Sequence, residues 1–183
     1  WRKECIIDAG NWEADTLTED LDLSYRAQLK GWKFVYLRDV TTPAELPAEM
    51  NALKAQQFRW TKGTVEVSKK LLPMVWKSHL PLKTKIVSTY HLIGSYAFPF
   101  ILLSTIINVP LVFIKNSGYH EDFFNAMSIF ILGFLSTFFL YFFAQKDVHE
   151  DWQNKIILYP LFMAGSMGFA LNNSRAVFEA LLD

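Results

Sequence analysis

The chain has 183 residues, and its 18 lysine and arginine residues balance 18 aspartate and glutamate residues, so the net charge is zero. A protein that binds nucleic acid needs a concentrated basic face, and we therefore expect no nucleic-acid partner. The single cysteine, Cys5, excludes an internal disulfide framework, and the four histidines lack the spacing of metal ligands.

Charge and apolar character are distributed unevenly along the chain. Residues 1–85 carry 14 of the 18 basic residues and 11 of the 18 acidic ones, whereas residues 86–183 are largely apolar. A content of 51% hydrophobic and 16% aromatic residues is high for a soluble domain. Because the sequence begins at Trp1 rather than at a methionine, we expect it to be a segment of a longer protein.

Two helices are predicted in the first 30 residues. Apolar side chains recur at helical spacing across residues 1–9, and Gly10 follows where a helix commonly ends in a left-handed conformation. Thr18 can then cap a second helix over residues 19–30, with Gly31 beyond its end.

The predicted second helix begins with acidic residues. Glu19, Asp20 and Asp22 fall in its first turn, where the positive end of the helix dipole favours carboxylates. Spacing alone is therefore typical of a well-capped surface helix without a catalytic role. A catalytic interpretation of Asp20 needs support from elsewhere in the chain.

A strand is predicted after this helix. Residues 32–37 are rich in aromatic and β-branched side chains and alternate loosely in polarity. Residues 38–39 indicate a turn, and Pro43 restricts the next segment to an edge strand or an extended conformation. A long helix is predicted from Pro47 to Leu72. The order of helix, strand and helix predicts an α/β fold.

The long helix carries a second polar cluster. Gln56, Arg59 and Trp60 are three and four residues apart, so they project from one face and can share a ligand. An arginine fork suits a diphosphate, and an indole offers a flat face on which a sugar ring can stack. A helix on a membrane surface also concentrates tryptophan and arginine, so both interpretations stay open from composition alone.

The remaining chain contains segments of membrane type. Residues 67–85 interleave lysine with apolar side chains, a pattern typical of an amphipathic interfacial helix on the cytoplasmic side. Residues 86–114 and 126–143 are each apolar enough for a membrane span. Residues 156–171 number only 16, so we expect an interfacial or re-entrant helix there.

The triplet Thr18-Glu19-Asp20, followed by Gln56-Gln57-Phe58-Arg59-Trp60 and then by hydrophobic segments, closely resembles the family 2 glycosyltransferases, which include the processive cellulose, mannan and hyaluronan synthases. The resemblance implies the C-terminal part of an α/β catalytic domain of GT-A type over residues 1–66. The interfacial helix would follow at 67–85, and an all-α transmembrane module would occupy residues 86–183.

The same resemblance implies roles for six residues. Asp20 would be the general base, within a catalytic motif that includes Thr18 and Glu19. Trp60 would lie under the acceptor sugar, and Gln56 and Arg59 would face the diphosphate of the donor. The reaction would invert the anomeric carbon, because the deprotonated acceptor hydroxyl attacks opposite the departing diphosphate.

The resemblance also implies substrates, a cofactor and a location. The donor would be a UDP- or GDP-linked sugar, and the acceptor a growing glycan or a lipid. A divalent cation, Mg²⁺ or Mn²⁺, would be held by residues outside this segment, and we predict no metal ligand within it. The protein would sit in a bilayer, in the bacterial inner membrane, with its catalytic part cytoplasmic and its helices forming a possible export channel.

Two alternatives share parts of this pattern. A non-processive enzyme that makes a glycolipid would use the same chemistry without building a polymer. A noncatalytic membrane-anchored interaction protein would keep the apolar helices and have no use for Asp20, Arg59 and Trp60. We also expect this segment alone to be inactive and to bind no nucleotide-sugar tightly.

Overall fold

The computed structural model describes residues 1–37 and 40–183, except for the side chain of Phe134. The chain forms two compact units. The first comprises Trp1–Phe100 together with Ala170–Asp183, and the second comprises Ile101–Phe169.

The predicted α/β fold class is wrong. The described residues form helices and irregular segments and contain no β-strand. The predicted strand at 32–37 is irregular, and Tyr36 within it is 89% exposed. A strand forms only where a neighbouring strand takes up its backbone N–H and C=O groups, and no described segment pairs with residues 32–37. The turn predicted at Arg38–Asp39 lies outside the described residues.

The two N-terminal helices are confirmed. Helix α1 spans Lys3–Asp8 and helix α2 spans Glu19–Leu29. Gly10 and Gly31 follow them, each with a φ of +92°, a conformation that suits glycine. The predicted cap is wrong in one respect, because the side chain of Thr18 makes no hydrogen bond to the start of α2.

Helix α3 is the central element of the first unit. It spans Met50–Lys77, three residues later than the start predicted at Pro47, and it continues through Pro73. Its 28 residues form one uninterrupted helix across the boundary predicted at residue 66. The other helices, in chain order, are α4 (Leu82–Ile93), α5 (Ala97–Asn116), α6 (Glu121–Met127), α7 (Ile131–Val148), α8 (Trp152–Ile156), α9 (Tyr159–Gly168) and α10 (Ala170–Leu182).

Helix α3 packs against α2, α4 and α10 within the first unit. One apolar cluster joins α2, α3 and α4 and consists of Tyr25, Val67, Leu71, Val75 and Leu92. A second joins α3 to α10 through Val65, Val177 and Ala180, and a third joins α1 to α2 through Cys5, Ala9, Leu23 and Ala27. Helix α3 therefore carries apolar side chains on two faces, one packed against α2 and α4 and the other against α10.

Two helical stretches are long and apolar enough to cross a membrane, as judged by length and composition. They run from Leu82 to Asn116 and from Glu121 to Val148. Short 3₁₀ turns interrupt them, at Gly94–Tyr96 in the first stretch and Ser128–Phe130 in the second. Their apolar side chains are largely exposed, as for helices that face lipid rather than a protein core.

In the second unit, aromatic side chains attach the short helix α9 to α7. The rings of Phe138 and Tyr159 are 5.3 Å apart between centroids, and those of Tyr141 and Phe162 are 5.4 Å apart. Helix α9 has ten residues, which gives it a length of about 15 Å.

Replacement of a fully buried side chain of α3 should loosen the first unit. Leu71 has no exposed surface, and Leu71→Ala should lower the free energy of unfolding by about 2–5 kcal/mol, through lost burial and the cavity that remains. Met74 on the same helix is 49% exposed, so Met74→Ala is the control and should change little. Thermal unfolding followed by circular dichroism in detergent would compare the variants; equal effects would contradict this packing.

Candidate functional site

A cavity of about 640 Å³ in the first unit brings the two sequence motifs together. Thr18, Glu19 and Asp20 line it from the start of α2, and Arg59 and Trp60 line it from α3. The rest of the lining comes from the segment before α2, namely Trp12, Glu13, Ala14, Thr16 and Leu17. The predicted site residue Gln56 does not line the cavity. It lies one helical turn before Trp60 and is partly buried.

Asp20 occupies the first turn of α2 with its carboxylate exposed. Its Oδ1 atom accepts a hydrogen bond of 2.8 Å from the backbone N–H of Leu21, and its carbonyl oxygen accepts one of 2.7 Å from the hydroxyl of Ser24. The second carboxylate oxygen is therefore available to a ligand in the cavity. A carboxylate with a free oxygen beside a cavity can accept a proton from a hydroxyl group that binds there.

Arg59 and Trp60 reach the cavity from the other side. Both are exposed, and Trp60 shows 49% of its surface, so its ring can be covered by a ligand. Trp60 lies within the continuous helix α3, and its carbonyl oxygen accepts a hydrogen bond of 2.8 Å from the hydroxyl of Thr64 one turn later. Helix α10 borders α3 nearby, where the Arg175 guanidinium lies 5.6 Å from the centre of the Phe58 ring.

The segment before α2 lies against α3 with very little space between them. A Cβ atom added to Gly63 would lie 2.6 Å from Cγ2 of Thr18 and 2.8 Å from its backbone nitrogen. One turn further along α3, Glu66 accepts a hydrogen bond of 2.8 Å from the backbone N–H of Leu17. The hydroxyl oxygens of Thr16 and Thr18 are buried without a hydrogen-bond partner.

An ionic cluster fixes the other end of the same segment. The Lys70 ammonium lies 2.5 Å from Glu13 Oε2, 2.9 Å from Asp15 Oδ2 and 3.0 Å from Asp22 Oδ1. Arg26 Nε pairs with the second oxygen of Asp22 at 2.7 Å. Burial works to lower the pKa of Lys70, but the three carboxylates outweigh it and raise that pKa well above its usual range. The hydrogen bond from Lys70 in turn lowers the pKa of Asp15.

The prediction for Asp22 is therefore corrected. The sequence indicated a surface acid at a helix start, whereas Asp22 has no exposed surface and pairs with two cations. Its pairing with Arg26, four residues later, follows a helical spacing that the sequence does show. The pairing with Lys70 could not be read from the sequence, because 48 residues of chain separate the two and only the fold brings them together.

Carboxylates of Glu13, Asp15 and Asp22 lie within 4.8 Å of one another, the arrangement of a possible cation site. The charge they would offer to Mg²⁺ or Mn²⁺ is already taken by the Lys70 ammonium at hydrogen-bond distance. These residues therefore do not fit a divalent cation while Lys70 is in place.

Comparison with known proteins gives the family. The sequence model of the family described as "Glycosyl transferase family group 2" matches residues 1–144, well over half of the chain. The chain belongs to this family. The sequence-based resemblance is thereby confirmed.

The curated proteins to which the chain is similar include three from plants. Glucomannan 4-beta-mannosyltransferase 1 of Oryza sativa subsp. japonica is 37% identical over 131 residues, which cover 64% of this chain and 25% of the relative. Probable glucomannan 4-beta-mannosyltransferase 11 of the same plant is 47% identical over 72 residues, covering 39% of this chain and 13% of the relative. Glucomannan 4-beta-mannosyltransferase 7 of Arabidopsis thaliana is 40% identical over 78 residues, covering 43% of this chain and 14% of the relative.

The chain thus spans a quarter or less of the length of these relatives. No solved structure matches it significantly.

Gly63→Ala tests the close approach of α3 to Thr18. In a helix interior this change ordinarily stabilises by about 1 kcal/mol, but here the new methyl group would overlap the side chain and backbone of Thr18, so we expect a loss of about 1–3 kcal/mol. Gly133→Ala in α7 is the matched control, because its added Cβ would meet nothing within 4 Å. Thermal unfolding in detergent measures both, and a stabilised Gly63→Ala protein would contradict the contact.

Proposed function

We propose that the protein is a glycosyltransferase that moves a sugar from a nucleotide-sugar donor to a growing polysaccharide. The observation that carries the proposal is the single cavity lined by Asp20 from α2 and by Arg59 and Trp60 from α3, in a member of a glycosyl transferase family. A membrane-anchored interaction protein without catalysis would have no need to bring these three side chains into one space.

Each of the three side chains suits one part of the transfer. Trp60 offers an exposed ring on which the acceptor sugar can stack, and Arg59 offers a fork of donors for the diphosphate of the donor. Asp20 would accept the proton of the attacking acceptor hydroxyl. Attack opposite the departing diphosphate would invert the anomeric carbon.

The names of the relatives indicate the sugar that we propose. Three plant relatives are named as glucomannan 4-beta-mannosyltransferases, so the proposed transfer is of a mannosyl group to a β-linked glycan. The donor would be the UDP- or GDP-linked sugar.

We propose two membrane crossings, Leu82–Asn116 and Glu121–Val148, with the site on the cytoplasmic side. Helices α3 and α10 belong to the same unit, and Lys69 Nζ donates a hydrogen bond of 2.8 Å to the carbonyl oxygen of Ala180. The chain between these helices must then cross the bilayer an even number of times. This parity supports an interfacial or re-entrant position for residues 156–171, in which α9 is about 15 Å long against a hydrocarbon core of ~30 Å.

We propose that the protein lies in a membrane, but we do not propose which organism or which membrane. The relatives compared above are plant proteins, so they give no support to the bacterial inner membrane that the sequence suggested.

Cysteine labelling tests the two crossings. In the whole protein, with Cys5 and any other reactive cysteine replaced by serine, Glu49→Cys at the start of α3 and Leu182→Cys in α10 should react with an impermeant maleimide from the same side of the membrane. Tyr119→Cys, between the two spans, should react from the opposite side. Labelling of Leu182→Cys from the side of Tyr119→Cys would indicate a third crossing and contradict the topology.

Asp20→Asn tests the proposed base. Asparagine retains an oxygen that can accept from the Leu21 N–H, so the start of α2 should be unchanged. Transfer by the whole protein in membranes should fall by roughly 10²–10⁴ while donor binding persists. Glu49→Gln, an exposed acid at the start of α3, is the control and should retain activity. Near-normal transfer by the Asp20→Asn enzyme would show that Asp20 is not the base and is only an acidic residue at the start of a helix.

A further inference from the structure

The contacts between α3 and the segment before α2 follow a helical spacing. Gly63, Glu66 and Lys70 are three and four residues apart, so they lie along one face of α3. Arg59, which lines the cavity, lies four residues before Gly63 on the same face, and Trp60 lies beside it in the same turn. The contacts and the cavity therefore share one stripe of the helix.

The partners of these three residues run in the opposite direction along the chain. Glu13 and Asp15 lie at Lys70, Leu17 lies at Glu66, and Thr18 lies at Gly63. Residues 13–18 therefore run antiparallel to α3, towards Arg59 and Trp60. The next residues, Glu19 and Asp20, are those that enter the cavity.

Lys70 makes the largest number of these contacts. Gly63 contributes only a close approach and Glu66 a single hydrogen bond, whereas the Lys70 ammonium holds three carboxylates. Its partner Glu13 also lines the cavity.

Removal of Lys70 would leave the charges around it unbalanced. Glu13, Asp15 and Asp22 would then face one another within 4.8 Å, with Arg26 as their neighbouring cation. Repulsion between like charges at this distance favours their separation. Arg26 holds Asp22 on α2 at 2.7 Å and Glu13 more loosely at 3.6 Å, so the carboxylates that would separate are those of Glu13 and Asp15 on the connecting segment.

We infer that Lys70 is a positioning residue for the proposed sugar transfer, one that holds residues 13–18 on α3 and so sets the distance between Asp20 and the Arg59–Trp60 pair. The inference rests on the proposed function. Lys70 lies ten residues beyond Trp60, about 15 Å along the helix, so it acts through the segment and not on the substrate. Displacement of a catalytic group by about 1 Å can cost a hundredfold in rate.

Lys70→Ala in the whole protein in membranes is the first test. The kcat of transfer should fall by about 10- to 100-fold, while the KM for the donor changes by less than about threefold, because the diphosphate contact on α3 is unchanged. Lys77→Ala, an exposed lysine at the end of α3, is the matched control and should retain both values. An unchanged kcat for Lys70→Ala would overturn the inference.

Chemical rescue distinguishes the loss of the ammonium group from a loss of folded structure in Lys70→Ala. Propylammonium matches the three carbons and the ammonium that Lys70→Ala removes. It should restore kcat of Lys70→Ala by at least about fivefold relative to tetramethylammonium at equal ionic strength, because tetramethylammonium carries the same charge but has no N–H group to donate. Lys70→Arg keeps the charge and should retain most of the wild-type kcat. Failure of both the amine and arginine to restore activity would overturn a positioning role.

Hydrogen exchange gives a readout that does not depend on catalysis. The amide of Leu17 donates to Glu66, so peptides covering residues 11–18 should exchange at least about tenfold faster in Lys70→Ala and recover with propylammonium. If Lys70→Ala does not accumulate, the double variant Glu13→Gln with Asp15→Asn replaces it. This variant removes the two charges that hold the segment and retains the Lys70–Asp22 pair, so it should show the same faster exchange. Unchanged exchange in these variants would overturn the inference. Absence of transfer by the wild-type protein would instead overturn the proposed function.

Discussion

The first unit depends on how closely the segment before α2 approaches α3. At Gly63 the two backbones leave no room for even one methyl group, and this is the turn that follows Arg59 and Trp60. A larger residue there would move Thr18 and, with it, the start of α2. The composition of α3 thus serves two purposes: apolar side chains bind it to α2, α4 and α10, and a small residue admits the neighbouring segment.

The sequence predicts which residues line the candidate site better than it predicts the fold class. Two short motifs predict Thr18, Glu19, Asp20, Arg59 and Trp60 as site residues, and the structure places all five around one cavity. The sequence does not predict the distance between the two motifs in space. It does predict that each motif lies on a helix, because apolar residues recur at helical spacing around both. Gln56 shares a face with Trp60 and still lies outside the cavity, because a shared face does not fix which turn reaches a ligand.

The prediction of an α/β fold was wrong because the sequence of one segment does not show whether a partner strand lies beside it. Residues 32–37 have the composition of a strand, but the propensity for a strand measures how well a side chain fits beside a neighbour in a sheet. Without a partner among the described residues, the segment is irregular. The ionic cluster was missed for a similar reason, because the partners of Lys70 are 48 to 57 residues distant in sequence and their attraction appears only once α2 and α3 have packed.

The first unit is made from two stretches of chain, and this has a consequence for biosynthesis. Helix α10 reaches α3 only after residues 101–169 have been translated, which takes on the order of seconds at ribosomal rates of about 5–20 residues per second. Until then the face of α3 around Val65 has no partner from α10. The packing around the helix that carries Arg59 and Trp60 is therefore completed only after both apolar stretches have been translated.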